Sequence, residues 1–100
     1  MRALIWNYTS AVAALYEANH NGNTNKARQA LDLAQQAIFE AFYNTDASLE
    51  ELEPLRVAIC EYAMAFARER LAYRFGIGET AVANIARIQA QRELHAILAK

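Results

Sequence analysis

The residues from Arg68 to Arg87 read RERLAYRFGIGETAVANIAR and contain two of the three glycines in the chain. The segments on either side of Gly76 and Gly78 contain no proline and are rich in alanine, arginine and glutamate, which favour helix. Glycine readily adopts the left-handed backbone conformation that commonly ends a helix. The stretch therefore predicts two helices joined by a tight turn.

Outside this stretch the chain has few residues that break a helix. It contains 100 residues, of which 55% are hydrophobic, with one proline and three glycines. A chain of this length can form a single domain with its own apolar core. Because turn residues are so scarce, it has little means of forming β-hairpins. We therefore predict one all-α domain over residues 1–100.

Apolar residues recur at intervals of three and four along four segments, which is the pattern of amphipathic helices. The polar runs NHNGNTN and NTDAS and the glycine turn separate these segments. Pro54 would either kink the third helix or leave a short first turn before it. Four helices joined by short loops predict an antiparallel up-and-down bundle. The predicted helices span about residues 3–19, 24–43, 48 or 54 to 75, and 79–99.

The residues that usually carry catalysis or bind metals are few and scattered along the chain. Glu17 and His20 have the spacing of one half of a di-iron site, but the sequence lacks a second copy of this pair. His20, Cys60 and His95 do not form a zinc pattern. Cys60 lies in an apolar segment, where we expect it to pack as a small hydrophobic residue. We therefore predict a protein that is not an enzyme and that uses no cofactor or metal.

The charge of the chain is nearly balanced overall but not along its length. The net charge is −1, which argues against strong attraction to nucleic acids or membranes in general. Residues 1–55 carry three basic and seven acidic residues, and residues 56–100 carry seven basic and four. The single cysteine excludes an internal disulfide, and neither a signal peptide nor a membrane-spanning run is visible. We expect a cytoplasmic protein with no membrane association.

The region around the glycine turn resembles the helix-turn-helix motif of DNA-binding regulators. In that motif a small residue lets the second helix cross the first closely, and apolar residues hold the crossing. The matching small and apolar residues are Leu71, Ala72, Phe75, Gly76, Ile77, Val82 and Ile85. The resemblance covers residues 68–87, a fifth of the chain.

The resemblance implies that the second helix of the motif faces DNA. The groove-facing positions would then be Gly78, Glu79, Thr80, Ala83, Asn84 and Arg87. Asn84 could read adenine and Arg87 guanine or phosphate, and a homodimer would be needed for tight binding. In the alternative interpretation, the glycine turn is the tip of a helical hairpin, and Val82 and Ile85 fill the core of the bundle.

Several aromatic residues lie outside the main apolar stripes of their helices and could be exposed anchors for a partner. They are Trp6, Tyr16, Phe39, Tyr43 and Tyr73. Arg68, Arg70 and Arg74 add a basic row that could meet an acidic partner or, in the alternative, the DNA backbone. We therefore predict a small non-enzymatic regulatory protein, of the adaptor, chaperone or inhibitor type found in bacteria and phages. It would bind a protein partner or a second copy of itself, and the alternative is a DNA-binding transcriptional regulator.

Overall fold

The computed structural model describes residues 1–99 of the chain. Four helices account for most of these residues: α1 (Arg2–Asn21), α2 (Asn25–Tyr43), α3 (Leu49–Phe75) and α4 (Thr80–Leu98). No strand occurs in this part of the chain. The prediction of an all-α four-helix bundle is confirmed, and each helix end lies within two residues of the bound predicted from the sequence. Among the same 99 residues, no helix has a stretch apolar enough and long enough to cross a bilayer.

The start of α3 is fixed by a side-chain cap. The Ser48 hydroxyl accepts a hydrogen bond from the backbone N–H of Glu51 at 3.2 Å, which satisfies one of the free donors in the first turn. The helix then continues through Pro54 for 27 residues in all. Pro54 lies in the second turn and lacks the N–H that would donate to the carbonyl of Glu50. α3 therefore starts close to the earlier of the two predicted starts and is not divided at Pro54.

The parallel pair α1 and α3 forms the centre of the bundle. α1 packs against both α2 and α3, and α3 also packs against α4. Ile5 near the start of α1 shares a cluster with Ile59 of α3, whereas Glu17 near its end pairs with Arg74 near the end of α3. These contacts show that α1 and α3 run in the same direction. α2 and α4 return along their outer sides, so the order across the bundle is α2, α1, α3, α4.

Small residues allow the two central helices to approach closely. Ala13 of α1 and Ala63 and Ala67 of α3 are almost completely buried in one cluster with Val12. Thr9, one turn before Ala13, is also fully buried. When helices pack through such short side chains, the distance between their axes is at the lower end of the usual range of about 8–10 Å. The surface between α1 and α3 is therefore sensitive to any increase in side-chain size.

Larger apolar residues collect where all four helices meet. The buried members of this cluster are Ile5, Ile38, Ala58, Ile59 and Leu94. Every helix contributes at least one of them, so the cluster holds the outer helices α2 and α4 to the central pair. Burial of this apolar surface is the main favourable contribution to the stability of the bundle.

Candidate interaction surface

The predicted turn joins α3 and α4 as an antiparallel hairpin. Gly76 and Gly78 both have left-handed backbone conformations, with φ of +67° and +84°. The N–H of Gly76 donates to the carbonyl of Ala72 at 3.2 Å, and the N–H of Ile77 donates to that of Leu71. These bonds satisfy two of the free carbonyls at the end of α3. The hairpin brings the whole length of α4 alongside α3.

Val82 and Ile85 lie on the outside of this hairpin. Their side chains are 60% and 65% exposed. Both interpretations of the sequence placed these residues in apolar contacts, either with the first helix of a helix-turn-helix or in the bundle core, and both are wrong on this point. α4 instead turns Ala90 and Leu94 towards α3. Successive residues are rotated by about 100° around a helix, so the orientation that buries Ala90 and Leu94 directs Val82 and Ile85 to solvent.

The two residues predicted to read DNA bases face α3. Asn84 Nδ2 donates to the Glu69 carboxylate at 2.9 Å, and Arg87 Nε donates to it at 3.2 Å. Arg87 also donates to Gln91 Oε1 at 2.7 Å. Base reading needs these donors free to reach the base edges, whereas here they are bonded within the chain. The other implied positions, Gly78, Glu79 and Thr80, are exposed, and Ala83 is half-buried.

Replacing Glu69 with alanine should lower the free energy of unfolding by about 1–3 kcal/mol, because Arg87 and Asn84 lose a shared charged acceptor. The Glu69 and Arg87 side chains are only 15% and 25% exposed, so water replaces that acceptor poorly. Urea unfolding followed by circular dichroism measures the change. Glu53→Ala is the matched control, since its carboxylate pairs with Arg56 in water and its loss should leave the midpoint unchanged. Equal midpoints for the two variants would contradict a structural role for Glu69.

The three arginines predicted to bind a partner do not form one basic patch. Arg74 and Arg70 lie on either side of Glu17, with nitrogen–oxygen distances of 3.2 and 3.7 Å. The Arg70 guanidinium also lies over the ring of Phe66, 5.0 Å from its centroid, in a cation–π arrangement. Arg68 is exposed and lies on a different side of α3, along the groove between α3 and α4. Glu17, in the acidic first half of the chain, thus pairs with two of the three arginines.

The five predicted aromatic anchors are dispersed over the surface. Four of them are exposed, to extents between 45% and 84%, namely Phe39, Trp6, Tyr73 and Tyr43. Tyr16 is half-buried against the alanine cluster between α1 and α3. Trp6 meets Phe66 edge-on, with ring centroids 5.5 Å apart, whereas Phe39 lies beside Cys60 in a cleft between α2 and α3. Trp6 and Tyr73 both lie near Phe66, whereas Phe39 lines a different cleft, so the five aromatic residues do not all share one face.

The cleft between α2 and α3 is small and weakly polar. Its volume is about 70 Å³, and Tyr8 and the half-buried Cys60 lie side by side in its wall. Burial, with a further contribution from the neighbouring Cys60, raises the pKa of Tyr8 to about 12. The phenol is therefore neutral at physiological pH. Within residues 1–99, no three histidine, cysteine or acidic side chains are grouped so that they could hold a metal ion.

A long open groove lies between α3 and α4 on the face that α1 and α2 leave uncovered. Its volume is about 700 Å³, and all of its lining residues come from α3, α4 and the turn between them. Four of the lining residues are alanines, and we call this set the floor: Ala65 and Ala90, which are buried, Ala83, which is half-buried, and Ala86, which is exposed. The lips carry larger apolar side chains that are exposed to water: Met64, Ile77 and Val82.

Of the residues that line this groove, only Arg68 was predicted to bind a protein partner, whereas Gly78, Glu79 and Ala83 were predicted to face DNA in the alternative. A signal for them is present in the sequence, because Ala83, Ala86 and Ala90 recur at intervals of three and four along one edge of α4. Such spacing places small residues in a row. Their companion Ala65 lies in α3, and only the hairpin places it opposite them.

The rim of the groove is predominantly acidic. Ile59 clusters with Leu94, and Glu69 pairs with Arg87, which fixes the antiparallel register of α3 and α4. In this register Glu61 and Glu93 lie at the same level, at the end of the groove away from the turn, while Glu79 lies at the turn and Arg68 near the middle. All four line the groove. None of them forms an ion pair within residues 1–99.

No protein-family model, no curated protein and no solved structure matches the chain. The proposed function therefore rests on the shape and chemistry of this groove.

Proposed function

We propose that this protein is a non-enzymatic interaction protein that binds a helix of a partner protein in the groove between α3 and α4. The observation that carries the proposal is the open groove, with its alanine floor and its three exposed apolar side chains at the lips. Amphipathic helices bind other helical proteins by laying an apolar face into a groove of this kind. The small residues of the floor let the backbone of such a helix approach closely.

The dimensions of the groove suit a short helix. Along α4 and the residue before it, the lining runs from Glu79 to Glu93, a separation of fourteen residue steps, or about 21 Å at the helical rise. A bound helix of about four turns would cover this length. Its contact residues would recur at i, i+3 or i+4, and i+7, because that spacing places them on one face.

The exposed apolar side chains give the partner a source of binding energy. Met64, Ile77 and Val82 all stand more than a third exposed at the lips. Fully burying a wholly exposed side chain of this size contributes roughly 1.5–3 kcal/mol, and covering the part of these three that is still exposed contributes a corresponding fraction. Part of this gain is offset by the loss of translational and rotational freedom on association. Three such side chains beside a close-fitting floor are consistent with specific, moderate affinity.

The packing of α4 supports a protein partner over DNA. Asn84 and Arg87 donate their hydrogen bonds to Glu69 and Gln91, so the side chains implied by the helix-turn-helix resemblance are already engaged. The exposed Val82 and Ile85 also leave the second helix of that motif without its apolar anchors. A protein partner in the groove, unlike a phosphate backbone, can cover Val82.

Replacing Ala86 with arginine should block the groove without unfolding the bundle, because Ala86 lines the groove and is exposed. A display library of helix-forming peptides of about 16 residues, selected on the wild-type protein, provides the probe. Selected peptides should carry one apolar stripe and lose at least about tenfold in affinity for Ala86→Arg, a change of roughly 1.4 kcal/mol. Fluorescence anisotropy measures the affinities.

Ala81→Arg is the matched control for this experiment. Ala81 is another exposed alanine of α4 that does not line the groove, so the same substitution there should leave peptide affinity unchanged. Val82→Glu, at a lip position that is already exposed, provides a second blocked variant. Thermal unfolding checks that all three variants fold. Peptides that bind the blocked variants as tightly as the wild type, or a selection that enriches no peptide, would contradict the proposed function.

A further inference from the structure

We infer that the occupant of the groove is a basic amphipathic helix, with lysine or arginine at both ends of its apolar stripe, and not a second copy of this chain. The inference rests on the proposed function and adds the charge and spacing of the partner. It is carried by the acidic side chains at the two ends of the groove and by their positions relative to the one arginine between them.

The charges on the rim are arranged so that both ends are negative. Glu61 and Glu93 lie level with each other at one end, and Glu79 lies at the other. Arg68, about two turns along α3 from Glu61, is the one basic residue among the lining residues. The lining therefore carries three carboxylates and one guanidinium, and none of them is neutralised by an ion pair within residues 1–99.

A helix that carries basic residues at both ends would complement this pattern. Charged groups at the rim of an interface mainly determine which partner binds and how quickly it associates. The ends of the groove are about 21 Å apart, so the basic residues of the partner would be separated by roughly eleven to fourteen positions. A negatively charged partner, including a phosphate backbone, would meet carboxylates at both ends.

A second copy of the chain fits the same pattern poorly. In a two-fold symmetric contact, each part of the surface meets its symmetry-related part on the other copy. We place the two-fold axis across the middle of the groove, at right angles to its length. Glu79 of one copy would then face Glu61 and Glu93 of the other. Arg68, which lies near the middle, would face Arg68 of the other copy. Every charge on the rim would then oppose a like charge, which is unfavourable.

Three peptides test the inference directly. They share the apolar stripe of the peptides selected on the wild-type groove and differ only at their end residues, which are lysine, glutamine or glutamate. We expect the lysine peptide to bind the full chain at least about tenfold more tightly than the glutamate peptide at low salt. This ratio should shrink in high salt, since screening weakens exposed charge pairs. It should also shrink in a triple variant carrying Glu61→Gln, Glu79→Gln and Glu93→Gln.

The possible results separate this inference from the proposed function. Equal binding of the lysine and glutamate peptides, abolished by Ala86→Arg, would overturn the charge inference and leave the groove as a helix-binding site. Failure of all three peptides to bind, or binding that Ala86→Arg does not reduce, would overturn both. Sedimentation equilibrium should give a monomer. A dimer that Val82→Glu dissociates would overturn the inference, because the occupant would then be a second copy.

Discussion

Replacing Ile59 with alanine should lower the free energy of unfolding by about 2–5 kcal/mol. Ile59 is 2% exposed and belongs to the cluster in which all four helices meet. Its truncation removes apolar contacts and leaves a cavity that the surrounding helices fill only in part. A domain of this size is typically stable by about 5–15 kcal/mol in total. Loss of this one side chain should therefore remove a large share of the stability.

Ile85→Ala is the matched control for this prediction. The substitution is chemically identical and also lies within a helix, but the Ile85 side chain is 65% exposed. Alanine favours helix slightly more than isoleucine does, so this variant should change stability by less than about 0.5 kcal/mol. Urea unfolding of the two variants, analysed with a common slope, gives the comparison. Similar losses for Ile59→Ala and Ile85→Ala would show that the four-helix cluster does not hold the bundle together.

The helices and their ends could be predicted because their causes are local. The apolar periodicity, the Ser48 cap and the glycine turn each act within a few residues of the chain, and neighbouring positions identify them without knowledge of the fold. The all-α class follows from the scarcity of glycine and proline. These features fixed the four segments and their antiparallel connections.

The orientation of α4 could not be predicted, because it depends on contacts between residues far apart in the sequence. The apolar character of Val82 and Ile85 and their positions after the glycine turn suggested that both would be buried. In the structure Glu69 of α3 bonds Asn84 and Arg87 of α4, and these bonds turn polar residues inwards. The hydrogen bonds between one carboxylate and two side chains of the next helix compensate for the smaller apolar area that α4 buries in this orientation. The pattern of apolar residues in α4 alone does not predict this orientation of the helix.

The candidate site was missed for a related reason. Exposed aromatic and basic residues are the usual sequence signals for an interaction surface, and Trp6, Tyr43 and Tyr73 are indeed exposed. The groove instead combines alanines from two helices with apolar lips. Alanine is common in helices for reasons of propensity alone, so a row of alanines in one helix does not distinguish a groove from an ordinary surface. The hairpin that places Ala65 opposite Ala90 makes the difference.

Replacing Ala67 with leucine should destabilise the protein by about 1–3 kcal/mol, because the interface between α1 and α3 has no room for a larger side chain. Ala67 is completely buried and packs in a cluster with Val12 and Ala13 of α1. Alanine and leucine have similar helix propensities. The loss of stability would therefore measure the packing at this interface and not a change in helix propensity. To fit the added atoms, α1 must move away from α3, which would also strain the ion pair between Glu17 and Arg74.

Two further variants show whether the destabilisation arises at this interface. Ala81→Leu makes the same change at an exposed position of α4 and should have an effect of less than about 0.5 kcal/mol. Val12→Ala makes room on α1 beside Ala67, so the double variant Val12→Ala/Ala67→Leu should be more stable than the sum of the single losses predicts. A coupling of at least about 0.5 kcal/mol in this cycle is expected for residues in contact. Strict additivity, or an Ala67→Leu protein as stable as the wild type, would show that α1 and α3 are not packed closely through their alanines.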